Sequence, residues 1–473
     1  MSILLDVPDA LKPVAEHVML FLRSLESRLE RLPTELRPDY AAVERELAEA
    51  TRAIERSAHA VLLRGLDLDA PMVLVDGVPH ARVGRYPATF YTAAGEVVIE
   101  RTIYRRRGDR TARAVDPVSL RAGVVADGWL PWTARSMAFL LQQGTAREAH
   151  ATAQELGRLP YSRASFERVG HAVGVRWAAD RAQHEQALIE ALTVPVEATG
   201  IAVSLDRVSV PMAEDLARPQ GRPQRGAPKR PQARVFRMAW CATVSLHDVD
   251  GEVLQSIRYG RMPDAAPDDL CEALCDDVLA LRAKRPELRV TLLCDGAHEL
   301  WALMERHLGD GTLGTRAHRL VDMWHLLEKL GRALRVRYSE AESSRRLHRW
   351  RLRLLQYRHE VHRIRAEIAR WSLEHRRVGE EFPVHDALTF LANHAARMDY
   401  ATARREGRPV GSGPVEATCK SLFEVRMKRP GARWRPDSGE RIVHLRALAL
   451  SDRWGPAMDL TLAGLRQHVA RAA

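Results

Sequence analysis

Residues 200–210 read GIAVSLDRVSV, and this stretch decides the fold: aliphatic and β-branched residues alternate with polar ones around an acid. Such alternation predicts a half-buried β-strand. An acid in the middle of a strand is costly to bury unless it is paired or bound to a metal ion. Asp206 is therefore the first candidate functional residue, and a bond to Arg207 or Arg237 is the structural alternative.

The sequence that follows predicts an alternation of strands and helices. Two strands, VFRMAWCATVSLHD and GEVLQSIRYG, are joined near Asp250 and Gly251, and an amphipathic helix spans residues 266–284. LRVTLLCDGA at 288–297 and AHRLVDMWH at 317–325 are apolar strands that each pass into a helix. The predicted order is β, β, β, α, β, α, β, α, which indicates an α/β domain.

Two further acids stand where sites form in α/β proteins. Asp295 ends the apolar run VTLLC and precedes Gly296, and the carboxyl end of such a strand faces the crevice that holds the site. Glu416 lies in the first turn of a helix near the end of the chain. The alternatives are that Asp295 caps the next helix and that Glu416 belongs to a capping box with Gly413 as the N-cap.

Taken together, the three acids predict two-metal chemistry. Transfer or hydrolysis of a phosphodiester uses two Mg²⁺ ions about 4 Å apart. Mg²⁺ prefers carboxylate oxygens and retained waters. Asp206, Asp295 and Glu416 come from distant chain positions, and their convergence at a sheet edge would supply such a cage.

The N-terminal third of the chain predicts three smaller modules. Residues 9–31 and 39–65 have helical apolar spacing and form a helical hairpin that packs or dimerises. Residues 71–106 switch to a period of two and predict hairpins around Asp76-Gly77 and Ala94-Gly95.

Residues 132–180 return to helix, and their last part reads as helix, short turn, helix, with Ser162 as a plausible N-cap. This is the spacing of a helix-turn-helix that can enter a major groove, and also that of ordinary helical hairpins.

Composition bounds the setting of the protein. Lys and Arg number 72 against 61 Asp and Glu, so the 473-residue chain carries a net charge of +11, which favours nucleic acid as a partner. A Pro- and Arg-rich stretch at 218–232 predicts a basic loop, and residues 328–400 are almost wholly helical. The chain has only five cysteines, and this small, odd number does not indicate a disulfide framework. We expect no membrane span and no secretory signal.

The segment GSGPVEATCKSLFEVRMKRPGARW at 411–434, together with DGAHELW at 295–301, resembles the signature of bacterial insertion-sequence transposases of the ISKra and ISLre kind. The order of strands and acids resembles the RNase H-like DDE transposases, and the helical block before Glu416 looks like their all-α insertion. Asp322 and His325 match the Asp/Cys-x-x-His element of insertion-bearing families. The resemblance covers about residues 70–455.

The resemblance implies a multidomain α/β protein: an RNase H-like mixed-sheet catalytic core with an all-α insertion, preceded by helical and small β modules. It implies a transposase that cleaves DNA at the ends of an insertion sequence and performs strand transfer. Asp206, Asp295 and Glu416 would be the catalytic residues and the ligands of two Mg²⁺ ions, with Mn²⁺ as a substitute. Asp322 and His325 would support them, and Asp322 is the rival of Asp295 as second acid.

Two other functions stay open for this scaffold. One is a catalytically silent, transposase-derived DNA-binding protein, and the other is an RNase H-like structure-selective nuclease.

Partners follow from the proposed chemistry and from the basic residues near Glu416. We expect the terminal inverted repeats and target DNA as ligands, a homo-oligomer because both element ends are handled together, and a location in the bacterial cytoplasm. An unpaired base could stack on Trp434, whereas the alternative is a solvated basic face with Trp434 as an anchor. The candidate DNA-binding residues are Lys420, Arg426, Lys428, Arg433 and Trp434.

The sequence predicts six segments. They are a helical hairpin (1–66), a small β module (67–115), a helix-turn-helix-like DNA-binding region (116–195), the first part of the RNase H-like core (196–327), the all-α insertion (328–404), and the last part of the core with the glutamate helix and C-terminal helices (405–473).

Overall fold

Two β-sheets with helices around them carry the fold, as seen in a computed structural model that describes residues 6–34, 36–215 and 232–472. The strands are β1 (Met72–Val75), β2 (Val78–Thr92), β3 (Gly95–Arg106), β4 (Gly200–Asp215), β5 (Gln232–His247), β6 (Val253–Arg261), β7 (Arg289–Cys294), β8 (His318–Val321) and β9 (Val469–Arg471).

Helices make up most of the remainder. The helices before β7 are α1 (Lys12–Arg31), α2 (Tyr40–Gly65), α3 (Pro117–Ala122), α4 (Pro131–Gln143), α5 (Ala146–Glu155), α6 (Arg163–Ala179), α7 (Arg181–Ala191) and α8 (Pro267–Lys284). Those after β7 are α9 (His298–His307), α10 (Asp310–Leu313), α11 (Met323–Arg337), α12 (Glu340–Gln356), α13 (Glu360–Ala369), α14 (Pro383–His394), α15 (Tyr400–Arg405), α16 (Gly413–Thr418), α17 (Val425–Met427), α18 (Pro436–Leu450) and α19 (Trp454–Ala463). Among the described residues, none of these helices combines the length and apolar character that a bilayer span requires.

The chain divides into two compact units. The N-terminal unit comprises residues 1–181 and 454–473, and the central unit comprises residues 182–453. The six-segment division from the sequence stays a prediction, and the basic loop predicted at 218–232 lies almost wholly outside the described residues.

The sheet of the N-terminal unit is antiparallel, with the strand order β3-β2-β1-β9. Asp76 and Gly77 both have positive φ, at 46° and 81°, as the predicted two-residue turn between β1 and β2 requires. Both predicted hairpins are present, but they share β2, which pairs with β1 at its start and with β3 along its length.

Helices α5 and α6 have the predicted helix, turn, helix order. The Ser162 hydroxyl accepts the N–H of Ser165 at 3.3 Å, which confirms Ser162 as the N-cap of α6. Thr145 and Glu148 form a capping box at the start of α5. Contact of α6 with DNA stays a prediction.

The central unit contains a five-stranded mixed sheet with the order β6-β5-β4-β7-β8. Strands β4, β5 and β6 are antiparallel, whereas β7 and β8 run parallel to β4. The predicted order of strands and helices from residue 200 to residue 337 is therefore confirmed. Strands β7 and β8 end at the same level, with Cys294 beside Val321, whereas β4 continues past them to Asp215.

A single hydrophobic core runs from this sheet into the helices that follow it. Leu292 of β7, Leu330 of α11, Trp350 of α12, Ile364 of α13 and Leu391 of α14 are all buried in one cluster. Helices α11 to α14 are thus packed on the sheet by shared apolar contacts and not tethered to it by linkers alone.

The helix that carries Glu416 has an unusual middle. α16 continues without a break through a π-helical segment, Cys419–Glu424, into α17. π-helical turns are rare and are frequent at functional sites. Gly260 of β6 lies beneath this helix, and a Cβ there would stand 2.6 Å from side-chain atoms of Leu422 and Val443.

Candidate active site

Strand register brings three aspartates into one row. Ser204 of β4 pairs with Leu293 of the parallel strand β7, so Asp206 and Asp295 lie two residues further along neighbouring strands. Cys294 pairs with Val321 of β8, which places Asp322 beside Asp295. The row lies at the carboxyl ends of β7 and β8, beside the middle of β4, and the sequence predicted a site at the end of β7.

Asp206 is half-buried, and no arginine or lysine among the described residues pairs with it. Its Oδ1 accepts the backbone N–H of Arg207 at 2.6 Å, and its Oδ2 lies 3.5 Å from the Sγ of Cys419. Burial raises the pKa of Asp206, the bond from the Arg207 amide lowers it, and the nearby charge of Asp295 raises it. The site therefore holds a carboxylate whose negative charge is poorly compensated by the protein.

The arginines that could have neutralised Asp206 are engaged elsewhere. The Arg207 guanidinium forms an ion pair with Glu299 and lies 5.7 Å from the ring centroid of Trp240. Arg237 forms a 2.9 Å ion pair with Glu214. The alternative in which Asp206 forms a salt bridge with Arg207 or Arg237 is therefore not observed.

Asp295 uses one oxygen in a local turn before α9. Its Oδ1 accepts the N–H of Ala297 at 2.8 Å, but Ala297 is itself the N-cap of α9 and that helix has no side-chain cap, so the capping alternative is not observed. Within the described residues, no hydrogen bond to its Oδ2 is present, so this oxygen can serve as a ligand. Gly296, which lies between Asp295 and Ala297, has a φ of 101°, a conformation that favours glycine.

Asp322 has both oxygens fully engaged. Oδ1 accepts the N–H groups of Trp324 at 2.6 Å and His325 at 3.1 Å, which makes Asp322 the N-cap of α11. Oδ2 accepts the N–H of Ser412 and, at 2.6 Å, its hydroxyl. This buried side chain therefore ties the start of α11 to the entry of α16.

Glu416 lies beside His325 at the start of α16. The N-cap is Ser412, with no side-chain capping bond, so the capping-box alternative with Gly413 is not observed. The Oε1 of Glu416 is 3.6 Å from the Nε2 of His325, and the Glu416 side chain is 40% exposed. Cys419, one turn further along the same helix face, is the residue that contacts Asp206.

The structure brings the predicted residues together in two groups. Asp206 lies beside Asp295, and His325 is close enough to lower the pKa of Asp206 through its charge. Donor atoms of Asp322, His325 and Glu416 lie within 4.8 Å of one another and could form a metal site of their own. Both oxygens of Asp322 are already hydrogen-bonded within the protein.

The donor set fits a hard divalent cation. Carboxylate oxygens suit Mg²⁺ or Mn²⁺, and clustered carboxylates without an arginine or lysine partner gain most from a bound cation. The thiol of Cys419 does not oppose this, because its hydrogen bond with Cys241 and its burial raise the pKa of Cys419 and keep the thiol neutral. A neutral thiol donates to Asp206 and orients it.

Sequence reasoning missed the residues that surround the acids. Cys419 was not singled out, since its contact depends on how α16 crosses β4 and β5. Trp324 is 52% exposed beside the acids, with the Arg351 guanidinium 4.9 Å from its ring centroid. His394 of α14 lies against Gly296, and burial lowers its pKa. Trp324 was within the matched VDMWH element, so its position was the one available signal.

The five candidate DNA-binding residues fall into two groups. Lys420 and Arg433 are exposed, and Lys428 pairs with Glu424 at 3.1 Å. Arg426 is buried, with its guanidinium 4.9 Å from the ring centroid of Trp434.

Trp434 is held by the protein itself. Its Nε1 donates to the carbonyl of Met427 at 3.0 Å, and its backbone N–H donates to the carbonyl of Pro211 at the end of β4. This is the anchoring arrangement that the sequence left open as the alternative to base stacking. DNA contact by any of the five residues stays a prediction.

Comparison with known proteins adds little to this geometry. No family model matches the chain, and no curated protein matches it. Among solved structures, the chain is similar to the Drosophila P element transposase strand transfer complex, at 14% identity over 70% of this chain and 78% of that chain, with a TM-score of 0.25. So low a TM-score marks a weak similarity.

Proposed function

We propose that this protein is a DDE transposase that cleaves DNA at the ends of an insertion sequence and joins them to target DNA. One observation carries the proposal. Asp206 and Asp295 lie side by side where β7 ends against the middle of β4, without an arginine or lysine partner among the described residues, and the helix of Glu416 contacts Asp206 through Cys419.

An RNase H-like core is part of the proposal. Its support is a five-stranded mixed sheet in which β4, β5 and β6 are antiparallel and β7 and β8 are parallel to β4. The acids stand on the first strand, after the fourth strand and on a late helix, as the resemblance to RNase H-like transposases implies. In this proposal the all-α insertion is residues 328–404, which include most of α11 and all of α12 to α15.

Asp206, Asp295 and Glu416 would hold two divalent cations, Mg²⁺ or Mn²⁺. When bound, such ions activate an attacking water or 3′-hydroxyl and stabilise the leaving oxygen of a phosphodiester. The protein supplies position: Arg207 N–H and Cys419 orient Asp206, and Ala297 N–H orients Asp295.

Asp322 keeps α16 at the sheet edge through Ser412, so that Glu416 stays near the other two acids. His325 lies 3.6 Å from Glu416 and is placed to orient its carboxylate. Both residues therefore support the site without needing to bind the ions.

DNA is the expected substrate because the chain carries a net charge of +11 and exposes Lys420 and Arg433 on the segment that follows Glu416. Phosphate contacts of this kind dominate the affinity of proteins for DNA. We expect the N-terminal unit, with its helix-turn-helix arrangement of α5 and α6, to recognise the terminal inverted repeats.

The test is an end-cleavage and strand-transfer assay in Mg²⁺, on DNA that carries the sequences flanking the gene. Asp206→Asn, Asp295→Asn and Glu416→Gln should each lower cleavage by several orders of magnitude and leave DNA binding intact. Glu424→Gln is the matched control, because it removes the same charge from the same continuous helix about two turns further on. It should cleave at the wild-type rate.

Other outcomes point to other functions. Wild-type cleavage by Asp206→Asn or Glu416→Gln would remove that residue from the site, and cleavage in excess chelator would refute the metal mechanism. Binding without any cleavage by the wild type would indicate a silent DNA-binding protein. Cleavage of branched DNA without joining would indicate a structure-selective nuclease.

A further inference from the structure

Helix α1 is long and has no buried side chain. It spans 20 residues, and none of them is buried in the described structure. Its half-buried residues, such as Val14, Phe21 and Arg28, lie on the face that packs against α2. Leu20, Leu22 and Leu29 are each at least half exposed, so α1 has more apolar surface than α2 covers.

A second apolar stripe runs along α1 beside the α2 face. Its positions alternate between steps of four and three residues, which is the spacing of the a and d positions of a coiled coil. Several of them are well exposed, with Leu22 at 50% and Leu29 at 67%. We call this stripe the α1 seam. It consists of Leu11, which is the N-cap of α1, with Val18, Leu22 and Leu29, all exposed, and of Ala15 and Leu25, which are half-buried.

We propose that the α1 seam binds the α1 seam of a second copy of this chain as an antiparallel coiled coil. In that arrangement Leu11 faces Leu29, Ala15 faces Leu25 and Val18 faces Leu22 of the other copy, and each layer occurs twice. The smallest residue of the seam is thus opposite a leucine. A two-fold axis between Val18 and Leu22 makes the surface complementary to itself.

Charges beside the seam favour the antiparallel direction. Lys12 and Glu26 lie on the same flank of the seam, one near each end, and both are exposed. In the antiparallel pair, Lys12 of each copy lies opposite Glu26 of the other, which gives two ion pairs of opposite charge. A parallel pair would place Glu26 beside Phe21 and Lys12 beside Val7, with no charge to match.

The existing contact of Lys12 does not prevent this pairing. Lys12 forms a 2.6 Å ion pair with Asp9 in which both side chains are largely exposed. Such surface pairs contribute little stability, so Lys12 can exchange or share its partner. The inference does not depend on the proposed catalytic function, since it rests on α1 alone.

The first experiment measures the mass of the full chain in solution without DNA, by sedimentation velocity over a range of concentrations. Wild type should be a dimer. Leu22→Glu should raise the dissociation constant by more than about 100-fold, because two charges would enter an apolar seam without partners. Leu20→Glu is the matched control: Leu20 is 60% exposed on the same helix but lies about 160° around it from Leu22.

Leu20→Glu should remain dimeric. A monomeric wild type, including one whose seam is covered by another part of its own chain, would overturn the proposal. So would equal weakening by Leu20→Glu and Leu22→Glu.

A second experiment tests the direction of pairing with variants that leave the seam intact. Lys12→Glu and Glu26→Lys each place like charges opposite one another in an antiparallel homodimer, so each should weaken self-association. Mixing the two variants in equal amounts should restore a heterodimer, because every flanking pair is again opposite in charge. Failure of the mixture to associate more strongly than either variant alone would refute the antiparallel arrangement.

Discussion

Asp322 and Asp206 should respond in opposite ways to the same substitution, although strand register places both in one row with Asp295. Asp322 is buried and accepts bonds from Trp324, His325 and Ser412. Asp206 has one amide donor and one thiol donor. If Asp322 is a positioning residue and Asp206 a ligand, Asp→Asn should destabilise the protein at the first site and not at the second.

The expected loss at Asp322 follows from its contacts. An asparagine keeps one carbonyl oxygen for the N–H groups of Trp324 and His325, but its amide group cannot accept the N–H of Ser412. Losing one charge-assisted hydrogen bond and weakening the cap should cost about 2 kcal/mol of the free energy of unfolding. Asp322→Ala, which leaves all the buried donors without an acceptor, should cost about 4 kcal/mol.

Asp206→Asn removes a half-buried negative charge that lies near Asp295 and has no arginine or lysine partner among the described residues. In the absence of divalent metal ions, the free energy of unfolding should therefore be unchanged or higher. Active-site residues commonly lower the stability of the folded protein because function requires them. Mn²⁺ affinity should fall strongly in this variant and remain within a few-fold of wild type in Asp322→Asn.

The assay is urea unfolding followed by circular dichroism in the presence of chelator, beside a Mn²⁺ titration of the folded variants. A metal-free Asp322→Asn as stable as wild type, with weakened Mn²⁺ binding, would make Asp322 a ligand. A strongly destabilised Asp206→Asn would mean that Asp206 has a structural partner that outweighs its burial.

Three further predictions concern stability and DNA binding. Burial raises the pKa of Asp277 to about 7, above its unfolded value near 4, so its contribution to stability is present at low pH and is lost as pH rises towards 7. Between pH 4 and 7, the free energy of unfolding in urea should therefore change less with pH in Asp277→Asn than in wild type, and an identical slope would refute this. Gly260→Ala should lower the free energy of unfolding in urea by about 1–3 kcal/mol, because its Cβ would stand 2.6 Å from Leu422. Gly413→Ala, which has open space around the added Cβ, should leave it unchanged, and equal effects of the two substitutions would contradict the packing argument. The slope of log affinity for duplex DNA against log salt, measured by fluorescence anisotropy, should be about 1 smaller in magnitude in Lys420→Ala and also in Arg433→Ala. An unchanged slope would place the substituted residue away from the phosphates.

Local sequence patterns sufficed for the elements but not for the contacts between them. Alternation and turn chemistry predicted β4, the Asp76-Gly77 turn and the Ser162 cap, because each depends on neighbours in the chain. Cys419 could not be predicted as a contact of Asp206, since that contact depends on where α16 crosses the sheet and on the π-helical segment that begins at Cys419.

Strand register was also beyond local reasoning. The sequence indicated that Asp206 lies within a strand and that Asp295 ends one, but a shift of a single residue between β4 and β7 would have turned one side chain to the other face of the sheet. The hydrophobic core that contains both β7 and Trp350 could not be predicted either. The amphipathic pattern of a helix shows that one face is apolar, but it does not show which element packs against that face.

The row of three aspartates shows why equivalent positions take different roles. Asp322 directly precedes α11, so the free N–H groups of the first helical turn engage one of its oxygens. Asp295 is separated from α9 by Gly296 and Ala297, and only one of its oxygens reaches a helix-entry amide. Asp206 lies within β4, which continues to Asp215, and its hydrogen-bond donors are one amide and one thiol.

Asp322 thus accepts four hydrogen bonds, whereas Asp206 accepts two and Asp295 accepts one, so the protein neutralises Asp322 the most. Gly296 separates Asp295 from α9, and its φ of 101° favours glycine, since a Cβ added there would also stand 2.8 Å from Phe390. Under the proposed function, we expect a divalent cation to bind at Asp206 and Asp295, where fewer donors engage the carboxylates than at Asp322.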